Sequence, residues 1–465
     1  MVVKRQKNQI QMKLTIFEED KGEALNSPKW VETSMAKHET ESPVGKNMEI
    51  KSTKLMEEIV ERKNMVKALK RVMGNKGNPG VDGMTVLELG SYIEDHWEEV
   101  KQDLLRGIYE PKPVKRTYID KPGKTEKRAL GIPCVLDRLI QQMVLQVLQK
   151  YIDPTFSDNS YGFRPNRSAH QAISKAQEYI KSGYVWVVDI DLEKFFDRVS
   201  HDKLMGLLAK RTKDKRVLKL IRAILNSGVM ENGLVSATIE GTPQGGPLSP
   251  LLSNIMLDPL DKELERRGHK FVRYADDCNI YVKSERAGKR VLENITKYIN
   301  KKLKLRVNQD KTAVDKAHKR KFLGFSFTAG KDHKKRIALE SIKRFKGKMR
   351  EITRRKRGKT LGTIIQELTV YLQGWAGYFR HCETPSVLKS LDGWVRRRLR
   401  SYIWKQWKTP KKRRKVLRKL GLVGKKLGIA SSSKGPWRMS NVEYLQIALP
   451  NRFFTILGLY SLVSS

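Results

Sequence analysis

Apolar residues along this chain fall into two patterns, short β-forming runs and longer stretches at helical spacing. The run Phe271-Val272-Arg273-Tyr274-Ala275-Asp276-Asp277-Cys278-Asn279-Ile280-Tyr281-Val282 reads as two strands with a turn at Ala275-Asp276-Asp277. Tyr184-Val185-Trp186-Val187-Val188-Asp189-Ile190 is another β-rich run, and it passes into acids and aromatics up to Asp197. Residues 116–133 read as two short strands around a basic turn. Helical spacing carries Leu55, Ile59, Met65, Leu69 and Met73, and later Leu139, Ile140, Met143, Val144, Val147, Leu148 and Tyr151. Between these helices, four glycines and one proline from Gly74 to Gly83 mark a loop. After Ser341 helical spacing takes over, with Ile342, Phe345, Met349 and Ile352, then Ile364, Ile365, Leu368, Leu372 and Trp375. The pattern predicts an α+β region of antiparallel strands backed by helices, followed by an all-helical region.

Length and charge narrow this picture. A chain of 465 residues with 39% hydrophobic content has room for two or three folded domains. Lys and Arg number 94 against 50 Asp and Glu, a net charge of +44. That excess is out of place in a neutral metabolic enzyme and points to a polyanionic partner. It is also clustered, because no acid occurs between Asp392 and Glu443. Arg396, Arg397, Arg400, Lys412, Arg413 and Arg414 fall in that window, with Trp404 and Trp407 among them. Cations for phosphates beside rings for unpaired bases suit a structured RNA, so these eight residues are candidate RNA contacts. Cys134, Cys278 and Cys382 form no close pair, which argues against a disulfide framework or zinc knuckle and fits a reducing cytoplasm. The first residues lack the apolar core of a signal peptide, and no stretch approaches a membrane span. Residues 453–463 are apolar but short and read as a packed segment. Residues 1–48 are mixed-charge and weakly periodic, as in a flexible or loosely docked extension.

The chemistry begins with Asp276 and Asp277. Asp is a common turn residue, so the pair alone is ambiguous. A strand that delivers Asp191 beside the turn would complete a three-carboxylate site. Such a set suits Mg²⁺, a cation that prefers oxygen ligands and takes one or two carboxylates plus substrate phosphates. Two such ions are what nucleotidyl transfer demands. Asp189 lies two residues before Asp191 and faces the same side of the strand, so residues alone leave it as an alternative.

Tyr274-Ala275-Asp276-Asp277 together with Asp191-Leu192-Glu193-Lys194-Phe195-Phe196-Asp197 resembles the palm of a reverse transcriptase. Two further motifs, Gly241-Thr242-Pro243-Gln244-Gly245-Gly246-Pro247 continuing to Asn254, and Phe156 through His170, narrow the resemblance to the group II intron reverse transcriptase/maturase family. It runs from about Lys51 to about Trp407. It implies a right-hand polymerase: an N-terminal extension and fingers over 49–160, a palm over 161–330 and a helical thumb, domain X, over 331–408. Gln373-Gly374-Trp375-Ala376-Gly377-Tyr378-Phe379-Arg380 carries the thumb match, and 409–465 is left as a basic DNA- and RNA-binding tail.

The same resemblance implies an RNA-directed DNA polymerase that also binds its intron RNA to promote splicing and mobility. Its cofactors would be two Mg²⁺ ions, with Mn²⁺ as a substitute. Its partners would be intron RNA, an RNA template with a DNA primer, target DNA and dNTPs, in a cytoplasmic, nucleoid- or ribonucleoprotein-associated setting. By resemblance Asp191 and Asp276 bridge both metals, Asp277 completes the site and the Leu192 carbonyl adds an oxygen. Lys121 and Arg128 meet the triphosphate; the loop departs slightly from the family pattern, so Lys127 competes with Lys121. Phe196 closes the pocket floor against a 2′-hydroxyl, Gln244 and Lys311 belong to the nucleotide site, and Arg164 to the RNA contacts. The loop 74–83 lies over the template–primer, and 321–327 grips the primer end. Beyond Cys382 there is neither His nor Cys, so the His-and-Cys nuclease that many relatives carry is not expected. Two other readings remain. One is a host-adopted reverse transcriptase in defence or repair. The other is a non-catalytic splicing scaffold, whose signature would be lost acids, and the acids are intact.

Overall fold

The computed structural model describes residues 54–120, 127–231, 233–237, 240–242 and 245–463. The expected extension 1–48, Lys121 and Gln244 lie outside these residues. The described chain divides into two compact units, 54–323 with 331–333, and 324–330 with 334–463.

The first unit holds β1 (Val114–Asp120), β2 (Lys127–Ile132), β3 (Trp186–Ile190), β4 (Val229–Glu231), β5 (Leu234–Ser236), β6 (Lys270–Tyr274), β7 (Asp277–Val282) and β8 (Ala313–Lys316). One sheet has the order β6-β7-β3-β8 and is antiparallel at every pairing, as expected for the palm. Every residue of β7 after Asp277 is buried, which explains why this strand reads as an unbroken apolar run. The helix Glu285–Tyr298 packs on the sheet so closely that a Cβ on Gly288 would come 2.5 Å from Val314. The helix Ala169–Lys181 packs on β6 and starts with a capping box, Ser168 accepting from the Gln171 amide and Gln171 accepting in return. The predicted hairpin at 116–133 forms, β1 pairing antiparallel with β2. Its sheet is wider than the sequence suggested, β2-β1-β4-β5, with β1 and β4 parallel.

Behind the sheets lies one apolar core. Val135–Ile152 is the predicted helix. Ser249–Arg266 runs through the same core and buries Leu251, Leu252, Ile255, Met256, Leu257, Leu260 and Leu264 together with the polar Asn254, Asp258 and Asp261. The helical pattern over 55–73 resolves into two helices, Leu55–Val60 and Arg62–Gly74, because Glu61 between them takes an extended ψ of 135°.

The second unit pairs β9 (Phe325–Phe327) with β10 (Lys335–Ile337) and continues in the helices Leu339–Ile352, Leu361–Phe379, Pro385–Gln406 and Pro410–Lys419, with shorter turns beyond. Two expected boundaries move. The break falls after Leu323 rather than at 330, since β9 packs with the helices and Phe325 lies 5.0 Å from the Phe379 ring. Residues 409–463 do not form a separate tail. Leu417, Leu449, Phe454 and Leu462 share one core with Phe345, Ile364 and Leu399. The Leu462 amide and the Ser461 hydroxyl both donate to Asp392. High charge masked this packing, because the apolar residues of 409–463 are sparse yet cover a second face of Pro385–Gln406. Among the described residues no helix is long and apolar enough to cross a membrane.

Candidate active site

The β6–β7 connection is a two-residue turn, with Tyr274 opposite Asp277 and Ala275-Asp276 between them. Ala275 sits at φ +57°, a left-handed conformation that costs an L-residue about 1–2 kcal/mol. The surroundings hold it there. Arg273 is fully buried and commits all five of its N–H groups. Two go to Asp261 at 2.7 and 2.6 Å, one to Asn254 Oδ1 at 3.0 Å, one to Ser160 Oγ at 2.7 Å and one to the Ala275 carbonyl at 2.8 Å. Asn254 in turn donates to the Gly162 carbonyl at 2.9 Å. Gly162 must be glycine, because a Cβ there would stand 2.2 Å from the Ala275 nitrogen. The motifs around residues 156–170 and 241–254 therefore meet behind the turn that presents Asp276. Sequence reasoning placed Arg273, Asn254 and Gly162 in motifs but gave them no role, and left Asp261 outside every motif; a lone arginine inside an apolar strand was the available signal.

Asp191 arrives on the neighbouring strand. Ile190 pairs with Cys278, so one step further along the same register sets Asp191 across from Asp277. Its backbone is fixed by the Asn308 amide at 2.8 Å and the Thr312 hydroxyl at 3.1 Å. Lys311 Nζ lies 3.1 and 3.3 Å from its two carboxylate oxygens. Asp189 has a different fate, because Arg320 holds it at 2.6 and 3.1 Å. The alternative left open by the sequence is thereby weighted toward Asp191, whose one ion pair among the described residues is with a half-exposed lysine.

Burial raises the Asp276 carboxyl above its ordinary value, and the negative charge of Asp191 adds to the effect. Asp277 is solvent-accessible as a residue, yet desolvation followed by the charges of Asp276, Asp189 and Asp191 pushes its carboxyl up to about 7. Carboxylates that repel one another in this way are a site short of positive charge. The donor set is all oxygen and suits Mg²⁺. Among the described residues no three acidic, His or Cys side chains are already drawn into a cage around one point. Leu192 is buried, and its backbone bridges to Val307.

Around these aspartates, Arg128 is exposed on β2 and its charge acts on Asp276. Lys127 is exposed opposite Asp120. Phe195 is buried and supports the half-buried Phe196 edge-on, with centroids 5.2 Å apart. The Thr242 amide donates to the Phe196 carbonyl at 2.7 Å, and Gly241, at φ +96°, lets its backbone come within van der Waals range of the same carbonyl. Gly245 lies against the Gly131 carbonyl, where a Cβ would stand 2.6 Å away.

Several predicted RNA contacts are instead structural. Arg164 is buried, bonding Asp153 and the Ser157 and Ser160 carbonyls. Arg396 is buried against Asp392, and Arg400 is buried on the Leu449 carbonyl and Asn451, desolvation lowering its pKa to about 10. Trp404 and Trp407 are buried as well. Positions 396, 400 and 404 share one face of Pro385–Gln406, continued by Trp407 at its C-cap, and that face is the core. Lys412 and Arg414 are exposed, Arg397 is half-exposed, and Arg413 lies 4.5 Å over the Trp404 ring.

Comparison with known proteins agrees with this architecture. Residues 119–327 match the reverse transcriptase (RNA-dependent DNA polymerase) family, and 342–421 match the group II intron maturase-specific domain. Protein YkfC of Escherichia coli K12 is 32% identical over 56% of this chain, which spans 79% of that protein. The chain belongs to the group II intron reverse transcriptase/maturase family. The group II intron-encoded protein LtrA of Lactococcus lactis is 31% identical over 56% of this chain, and the match spans 54% of LtrA. The two matched regions fall one in each compact unit, but for residues 324–327, which match the first family and lie in the second unit.

Proposed function

We propose that this chain copies RNA into DNA by two-metal nucleotidyl transfer, and that its second unit binds intron RNA to promote splicing and mobility. What supports the polymerase reading is the register that sets Asp191 across from Asp277 at the strand ends, beside the turn that carries Asp276, with Asp189 separately neutralised by Arg320. Asp191, Asp276 and Asp277 would hold two Mg²⁺ ions. When bound, such ions acidify a primer 3′-hydroxyl and stabilise the leaving pyrophosphate. Lys311 keeps the Asp191 carboxylate in place and stands ready for triphosphate oxygens. Arg128, a planar fork with its charge near Asp276, is positioned for the same phosphates. Phe196, braced by Phe195, would fill the space a ribose 2′-hydroxyl needs and so favour dNTPs.

The test is primer extension on an RNA template with Mg²⁺ and dNTPs, beside the Asp276→Ala/Asp277→Ala double variant. Extension by the wild type alone supports the reading. No extension by either protein, with tight RNA binding in both, would shift the weight to a splicing scaffold.

A further inference from the structure

The second unit carries a cluster of cations with no ion-pair partner among the described residues. Trp394 on Pro385–Gln406 has Lys346 Nζ at 5.7 Å, and the Arg350 and Arg398 guanidinium carbons both at 5.6 Å, from its ring centre. Trp437, on the short helix Pro436–Met439, has Arg397 at 4.1 Å and Arg398 at 5.9 Å. Arg398 therefore bridges two indoles. It also donates to the Thr353 hydroxyl at 2.6 Å, and Arg397 donates to the Ser440 hydroxyl at 3.4 Å. Lys346, Arg350, Arg397 and Arg398 have neutral hydrogen-bond partners or indoles beside them and no carboxylate partner among the described residues. Burial, followed by the like charges of Arg355 and Arg350, lowers the pKa of Arg398.

Such a cluster repels itself, and a bound anion would offset that repulsion. The indoles add a second feature. A guanidinium stacked on a ring has its plane fixed, so its outer N–H groups are pre-organised to grip a phosphate. A plain solvated basic helix lacks that device.

We infer that the Lys346, Arg350, Arg397 and Arg398 array, ordered by Trp394 and Trp437, is a cradle for the phosphodiester backbone of a folded RNA. It replaces the buried Arg396, Arg400, Trp404 and Trp407 as the outward face of Pro385–Gln406. The inference rests on the reading of this unit as RNA-binding and names where that binding occurs.

The test uses the full chain and fluorescein-labelled probes: an RNA hairpin, a single-stranded RNA and a DNA duplex of equal length, titrated over a range of KCl. Removing two phosphate contacts with Lys346→Gln/Arg350→Gln should make the salt slope of log K shallower by about 1.6 and weaken binding roughly twentyfold at 0.15 M salt. Lys425→Gln/Lys426→Gln, which removes two exposed lysines of the same unit, should leave hairpin binding within about twofold of the wild type. Trp437→Leu keeps every charge but frees Arg397, and should weaken hairpin binding severalfold at an unchanged melting temperature. An equal loss on hairpin and duplex would assign the cradle to the backbone shared by RNA and DNA; a loss confined to the hairpin would assign it to folded RNA. Wild-type affinity and slope in both the double variant and Trp437→Leu would overturn the inference while leaving RNA binding itself intact. Absence of salt-dependent RNA binding by the wild type would instead overturn the maturase reading.

Discussion

Arg273→Met is the substitution that should separate holding the fold from holding the turn that carries Asp276. The wild-type side chain makes two bonds to a fully buried Asp261 and three to Asn254, Ser160 and the Ala275 carbonyl. Removing it leaves Asp261 as an uncompensated buried charge, a loss of about 3–5 kcal/mol. Releasing the Ala275 carbonyl adds a different effect. Ala275 is held at φ +57° against a preference of about 1–2 kcal/mol, so its peptide can relax and carry Asp276 with it. A displacement near 1 Å at a reacting group lowers the rate about a hundredfold. The double variant Arg273→Met/Asp261→Leu removes the stranded charge and should recover much of the stability, because buried pairs are often replaceable by apolar residues. It should not recover the rate. Urea unfolding and single-turnover primer extension on an RNA template would be measured on both variants. If the double variant regains both stability and rate, the bond to Ala275 positions nothing and the argument fails.

The remaining predictions are briefer. Gly162→Ala should cost about a hundredfold in extension rate with RNA affinity unchanged, because its Cβ would force the Ala275 nitrogen away; normal extension would mean that the turn tolerates the shift. Phe196→Ala should raise ribonucleotide incorporation about a hundredfold relative to dNTPs in a competition assay. Trp404→Ala should destabilise the second unit by about 3–5 kcal/mol, since the ring is wholly buried, and calorimetry should show this before any change in the salt slope of RNA binding. Asp137 is buried, and desolvation raises its pKa to about 6 in spite of bonds from Tyr109 and the Lys112 amide. A folded-state pKa above the unfolded value favours the fold at low pH and loses that advantage as pH rises through 6. Relative to Asp137→Asn, the wild type should therefore be about 1.4 kcal/mol more stable at pH 5 than at pH 8 by urea unfolding.

The strands of the candidate site were legible because their constraint is local. The apolar run of β7 and the two aspartates at its start can be read without knowing what lies opposite. The choice between Asp189 and Asp191 was not legible, because it depends on Arg320, more than a hundred residues away, reaching only one of them. The helical unit failed in a more instructive way. Arg396, Arg400, Trp404 and Trp407 were read by residue type as RNA contacts, whereas their i, i+4, i+8, i+11 spacing marks a single face of one helix and its C-cap. That face is buried because residues 409–463 wrap it, and their own apolar positions are too sparse among lysines to announce a core. Arginine then does structural work that its charge hides: it bonds the Leu449 carbonyl and Asn451 inside the unit, while Arg397 and Arg398 are carried out to the indoles on the next face. In a chain this basic, composition announces a polyanionic partner but cannot say which cations meet it. Periodicity and burial decide that, residue by residue.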